Sequence, residues 1–315
     1  MATLRPAVLE PHMVRNLPDP AVAAFEGSLE PEAFFVGPPQ EEAIARLEWL
    51  VEHHQRLGLV VAGEGCGKSH LAAMAVRRLG GLTAETVLLS LRGLAEGDFL
   101  PMLLDRLPLD PLSAAEPIRP WQKLEDRLRE NTLMERPTVV ILDDLDRAAA
   151  DAIAGVERLV SSAEPRFSLV TVIGTLRPDG GRPLPPGLVA TAGVRIDLPA
   201  WSEADTAAFL HWALERAGAD PGRFSAAASA TLQRLSGGVP RLVCQLAHLA
   251  VVATVGDDLA TVEPVTVERA WRQLLPASAR ERPASPSATS QDPLIVEEHS
   301  PPVNPRVRAV RRLFG

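Results

Sequence analysis

Besides 194–198, which reads as a fifth strand, short apolar runs with little polar alternation recur at 59–62, 86–91, 138–142 and 167–175. Runs of this kind, several rich in valine and isoleucine, predict strands buried on both faces. Between them, apolar residues return every three or four positions. Ala43, Ile44, Leu47, Leu50 and Val51 do so within 40–55, Leu71, Ala75, Val76 and Leu79 within 70–79, and Leu124 and Leu128 within 121–129. That spacing gathers them on one face of a helix. Phe99, Met102, Leu103 and Leu107 mark another helix, and 147–160 a further one. Strands alternating with helices predict a parallel, doubly wound sheet.

From Pro199 the strand signals stop. Ser202-Glu203-Ala204-Asp205 has the spacing of a capping box, and the helix it opens runs through Phe209, Leu210, Ala213 and Leu214 to Gly218. Ser225 caps a second helix, which Gly237-Gly238 ends. Pro240 begins a third that reaches Gly256, and 266–275 forms a fourth. The predicted organisation is an extended arm over 1–30, an α/β domain over 31–198 and a small all-α lid domain over 199–275. A Pro/Ser-rich tail follows over 276–315, read as disordered to about 305.

Candidate chemistry begins where the first strand ends. Residues 59–69 read Leu-Val-Val-Ala-Gly-Glu-Gly-Cys-Gly-Lys-Ser, an apolar run, a glycine-rich turn and the start of a helix. Gly65 and Gly67 let backbone N–H groups converge on a polyphosphate, and the helix N-terminus adds partial positive charge. The candidate ATP-binding stretch therefore spans Ala62, Gly63, Glu64, Gly65, Cys66, Gly67, Lys68, Ser69 and His70. Lys68 is placed to reach the β and γ phosphates, and the Ser69 hydroxyl to coordinate Mg²⁺. Ala62 stands where the motif ordinarily has its first glycine.

A second stretch, 138–146, ends a buried strand in carboxylates: Asp143, Asp144 and Asp146. Ligands of an open parallel sheet bind at the carboxyl ends of the strands, which brings Asp143 beside the phosphate loop as the Mg²⁺-side carboxylate. Asp144 follows where a water-activating carboxylate belongs. Aspartate reaches one methylene less far than glutamate, so hydrolysis is expected to be slow or to depend on a rearranged oligomer. Thr175 closes the fourth strand, either in reach of the γ phosphate or attacking water, or as an ordinary strand-end residue. Arg241, in the first turn of a helix, is the candidate to lean over the γ phosphate and couple lid position to nucleotide state. Phe34 and Phe35 precede the 40–55 helix; Phe35 either packs on an adenine ring or belongs to the core.

Composition narrows the classes. A chain of 315 residues with 46% hydrophobic and 23% charged residues can bury a substantial core. Its net charge of −8 argues against a uniformly basic nucleic-acid surface. Two cysteines, Cys66 and Cys244, form no disulfide framework and fit a reducing compartment. The sequence shows no apolar stretch of membrane-spanning length and no signal peptide, so the expected location is cytoplasmic. Residues 306–314 are basic with apolar residues interleaved, either a solvated tail or a segment that docks on a partner, an anionic membrane or nucleic acid.

These residues resemble the ExeA type of AAA+ ATPase of the general secretion pathway. The resemblance rests on the Phe34-Phe35 segment and its helix, the phosphate loop, Ile141-Leu142-Asp143-Asp144, Val172-Ile173-Gly174, and above all Leu235-Ser236-Gly237-Gly238-Val239-Pro240-Arg241. It covers about 30–275 and implies a P-loop AAA+ core with a helical lid, working with ATP and Mg²⁺ as an oligomer on a protein partner. Lys68, Ser69, Asp143, Asp144 and Arg241 take the matching positions. The family's arginine near the fifth strand has no clean counterpart; Arg177 and Arg195 are the candidates to act on a neighbour's nucleotide. The membrane span and peptidoglycan-binding region of longer relatives are not matched, which weakens a direct envelope role. Two other readings stay open: a slow regulatory nucleotide switch, suggested by Asp144, and a DNA-associated AAA+ protein of the transposition-helper or origin-binding sort. The acidic balance and the lack of a helix-turn-helix after the lid count against the last.

Overall fold

Each of the five predicted strands is found in one parallel sheet. The computed structural model describes residues 19–26, 34–81, 84–108, 119–162, 164 and 167–274. In chain order the elements are α1 (Pro20–Ala23), α2 (Pro38–Glu52), β1 (Leu57–Val61), α3 (Lys68–Gly80), β2 (Glu85–Ser90), α4 (Phe99–Arg106), α5 (Pro120–Leu133), β3 (Thr138–Asp143), α6 (Ala150–Ser161), β4 (Val170–Leu176), α7 (Pro186–Ala190) and β5 (Ala192–Asp197). Four more helices follow: α8 (Glu203–Arg216), α9 (Ala226–Ser236), α10 (Pro240–Gly256) and α11 (Pro264–Leu274).

The strand order is β2-β3-β4-β1-β5. Successive strand residues point to opposite faces, and both faces are covered. Val140 and Leu142 of β3 enter one cluster with residues of α4, α5 and α6. Val139 and Ile141 enter another with residues of α2 and α3. These central residues are essentially inaccessible to water, which is why their run carries no alternation. Among the described residues no helix is long and apolar enough to cross a membrane.

The helices after β5 have a core of their own, including Phe209, Leu210, Leu232, Val243, Leu246 and Val251. The capping box forms as its spacing predicts: the Asp205 amide donates to Ser202 Oγ at 3.1 Å and the Ser202 amide to Asp205 Oδ2 at 3.0 Å. The linker is fastened to this layer where the Trp201 amide donates to the Gly238 carbonyl at 2.8 Å and Gln233 Nε2 donates to the Trp201 carbonyl at 2.8 Å.

Several boundaries differ from the sequence reading. Residues 19–26 depart from an extended arm: Asp19 caps α1, and Ala21, Ala24 and Phe25 are buried in the helical layer's core. An ion pair from Arg223 to Asp19 at 3.0 Å ties that segment down, a contact of residues far apart in the chain that no local pattern encodes. The helix read from 147 begins at Ala150, because Asp144 adopts a left-handed backbone (φ +58°) and Leu145–Arg147 forms a 3₁₀ turn first. The short α7 closes the loop read over 177–187. The rest of the arm, the Pro-rich loop over 109–118 and the tail from 276, its basic end included, lie outside the described residues.

Candidate functional site

The register of the sheet decides what meets at its carboxyl edge. Val60 of β1 pairs with Thr175 of β4, and Leu142 of β3 with Gly174, so Asp143 and Thr175 emerge side by side next to the loop that leaves β1. Thr175 Oγ1 donates to Asp143 Oδ1 at 2.5 Å. The other carboxylate oxygen, Oδ2, accepts the Ser69 hydroxyl at 2.7 Å. The two motifs, 74 positions apart, thus share one carboxylate.

The loop from Ala62 to Gly67 carries φ +80° at Gly65 and +91° at Gly67, backbone states that cost a side-chain-bearing residue dearly. Gly65 has a second reason to be glycine: a Cβ there would sit 2.9 Å from Val239 Cγ1 and 3.1 Å from Arg241 Cβ. The Lys68 ammonium donates to the Ala62 carbonyl at 2.9 Å and the Gly63 carbonyl at 2.8 Å. Burial pushes the Lys68 pKa below its ordinary value, while the carboxylates around it, Asp144 foremost and then Asp143 and Asp146, pull the other way. Burial also pushes the Cys66 thiol up, so it is a small loop residue with little thiolate character.

Asp144 is held by its backbone and by its carboxylate. Its amide donates to Thr175 Oγ1 at 3.0 Å. Its Oδ2 lies 3.2 Å from Arg92 Nε, one of the residues sequence reasoning missed. The available signal was position: Arg92 follows the second apolar run, and the carboxyl ends of all these strands face one crevice. The adjoining turn is clamped as well. Asp146, 2% exposed, accepts Arg177 Nε at 3.0 Å through Oδ2, and its carbonyl accepts the Arg182 amide at 2.8 Å.

These groups open onto a cleft of about 810 Å³ between the sheet edge and the helical layer. Gly65, Cys66, Gly67, Lys68, Ser69 and His70 line its phosphate-loop side, with Arg92, Asp144 and Arg177 beside them. Arg241 and Cys244 of α10 face them from the helical layer. The Arg241 amide donates to the Gly65 carbonyl at 3.1 Å, and Arg241 Nη1 lies 3.4 Å from Glu64 Oε1. Glu64, read as part of the phosphate-binding stretch, thus has its carboxylate on an arginine. His70 stacks on Phe34 with ring centroids 5.8 Å apart. Phe35 also lines the cleft, yet it packs on Trp201, Phe209 and Trp212 at 5.5–5.7 Å, so it is core to the helical layer as well. Of the two candidate trans-acting arginines, Arg177 lines this chain's own cleft, and Arg195 is exposed on β5 beside Asp197 at 2.9 Å.

An oxygen-only donor set, the Ser69 hydroxyl and the Asp143 carboxylate, suits a hard divalent cation such as Mg²⁺ that keeps most of its waters. Around it stand a buried ammonium, a loop with left-handed Gly65 and Gly67, and several guanidinium groups, an arrangement that can hold a polyanion.

No protein-family model matches the chain. It is 25% identical over 235 residues to general secretion pathway protein A of Aeromonas hydrophila, covering 73% of this chain and 42% of that protein. The chain therefore spans about two fifths of the curated relative it matches. Among solved structures, Drosophila ORC bound to DNA has a TM-score of 0.59 at 15% identity, covering 88% of this chain and 72% of that one. Cdc6p from Pyrobaculum aerophilum gives 0.58 at 15%, covering 80% and 71%, and the Thermotoga maritima RuvB Holliday junction branch migration motor gives 0.52 at 13%, covering 77% and 71%. The chain has the fold of the AAA+ P-loop ATPases, and its sequence is similar to general secretion pathway protein A.

Proposed function

We propose that the chain binds Mg-ATP in this cleft and hydrolyses it, and that its helical lid passes nucleotide state to a protein partner. The observation that carries the reading is the shared Asp143 carboxylate, which receives Ser69 from one motif and Thr175 from the neighbouring strand. In this reading Lys68 exchanges its two carbonyl partners for phosphate oxygens and the loop amides cradle the β phosphate. Ser69 and Asp143 would hold Mg²⁺, which would supply neutralisation of phosphate charge. Asp144 orients the attacking water, Thr175 fixes Asp143 and the Asp144 amide, and Arg241 reads the terminal phosphate from the lid side. The test is phosphate release from Mg-ATP: the wild-type chain turns over, and a Lys68→Ala chain loses at least about a hundredfold. Equal rates would sink the reading.

The similarity to general secretion pathway protein A supports a further part of the proposal, self-association on ATP binding and work in a secretion- or pilus-type assembly. Arg195, on the exposed strand, is then the candidate to reach a neighbour's nucleotide. Two free cysteines suit a reducing compartment, and we assign the chain to the cytoplasm. Sizing the protein with and without Mg-ATP tests the assembly; an unchanged mass rejects it.

One observation favours a slower variant of the same chemistry. Asp144 is a short carboxylate already engaged by Arg92 at 3.2 Å, as a switch that holds ATP for long periods would have it. A single-turnover experiment separates the two: nucleotide intact after an hour marks the switch. Salt-dependent retention on duplex DNA would move the assignment to a DNA-associated role.

A further inference from the structure

Glu64 occupies a variable position of the phosphate loop, where a negative charge faces the seat of a polyanion. It is not solvated alone. Its Oε1 lies 3.4 Å from Arg241 Nη1, and the backbones beside them are locked together: the Arg241 amide donates to the Gly65 carbonyl at 3.1 Å, and Val239 and Arg241 fill the space a Gly65 side chain would need. The pair therefore cannot drift apart by loop motion without breaking that contact. The side chains themselves are 57% and 61% exposed, so the ion pair is weak and exchangeable. Arg241 also lines the cleft, which Lys68 and Arg92 line from the phosphate-loop side.

We propose that Glu64 holds down the cleft's preference for a triphosphate over a diphosphate, by engaging the Arg241 guanidinium until a terminal phosphate displaces it. The inference rests on the reading of Arg241 as a contact to the terminal phosphate. A phosphate carries more charge than a carboxylate and takes the guanidinium in bidentate fashion, so it wins the exchange. A diphosphate ends one group short and leaves Arg241 on Glu64. Glu64 thereby lowers affinity for ATP by the strength of one exposed pair and keeps the lid contact in its resting arrangement until the third phosphate arrives.

The experiment is calorimetric titration of the full chain with Mg-ATP and with Mg-ADP, for wild type, Glu64→Gln, Arg241→Gln and the double variant. Glu64→Gln is expected to bind Mg-ATP about threefold tighter, a factor suited to an exposed ion pair, and Mg-ADP unchanged. In the Arg241→Gln background the same substitution is expected to leave both unchanged. If Glu64→Gln tightens both nucleotides equally, or acts as strongly without Arg241, the effect is plain relief of charge repulsion and the assignment falls. If the ratio of the two affinities does not move in a chain that binds Mg-ATP, the assignment to Glu64 falls while the nucleotide reading stands. No heat from Mg-ATP with the wild-type chain removes both.

Discussion

Thr175 donates its hydroxyl hydrogen to Asp143 at 2.5 Å while the same oxygen accepts the Asp144 amide at 3.0 Å. One buried side chain thus fixes the orientation of one carboxylate and the backbone of the next. Thr175→Val keeps the shape and removes both bonds, leaving a buried carboxylate oxygen and an amide short of a partner. The expected cost is about 1–3 kcal/mol of stability. Hydrolysis of Mg-ATP should fall by tenfold or more while ATP affinity falls less, a split read from kcat and KM.

Arg92 bears on turnover in the opposite direction. Its ion pair with Asp144 turns that carboxylate toward the β2 edge. With Arg92→Ala the carboxylate is free to face the attacking water, and single-turnover hydrolysis should rise by about two- to tenfold. The pair is half exposed on the arginine side, so melting temperature should stay within about a degree or two. A turnover that drops would show that Arg92 serves the reaction itself.

Gly237 and Gly238 separate two effects that glycine substitutions usually mix. Both have positive φ, +60° and +69°. A Cβ on Gly237 meets nothing within 4 Å, whereas one on Gly238 would lie 2.0 Å from the Trp201 carbonyl oxygen. Gly237→Ala should cost about 1 kcal/mol, the left-handed strain alone. Gly238→Ala must also break the Trp201 contacts that tie the linker to the helical layer, and should cost about 2–4 kcal/mol. Chemical unfolding midpoints of the two variants make the comparison.

Burial pushes the Cys244 thiol up from its ordinary value near 9 to about 11. The folded chain therefore holds this proton more tightly than the unfolded one. The stability this contributes is present below pH 9 and is lost as the pH climbs through 11. Two measurements follow. Iodoacetamide should modify Cys244 about a hundredfold more slowly at pH 8 than an ordinary thiol, and the rate should rise about tenfold per pH unit toward its pKa. Melting temperature of wild type should fall more steeply above pH 9 than that of Cys244→Ala.

Much of this site was legible in the sequence because its parts are local. An unalternating apolar run of this length suits a strand covered on both faces, a Gly-x-Gly-Lys-Ser turn suits a loop that presents amides and an ammonium, and Asp at the carboxyl end of a parallel strand lies at the crevice. From these alone follow the parallel sheet, the loop and the meeting of Lys68, Ser69 and Asp143 at one edge. The capping box at Ser202 and the stop at Gly237 are short-range hydrogen bonding and were equally readable. What the tertiary structure decided are the partners of long side chains and of backbone segments distant in sequence. Arg92 lands on Asp144, Arg241 on Glu64 and Arg177 on Asp146 because strand order and the docking of the helical layer bring them together. The residues at 19–26 join the helical core for the same reason. Periodicity records which face of an element is dry; it carries no information about which distant charge comes to rest against it, since that depends on the sum of packing over the whole chain.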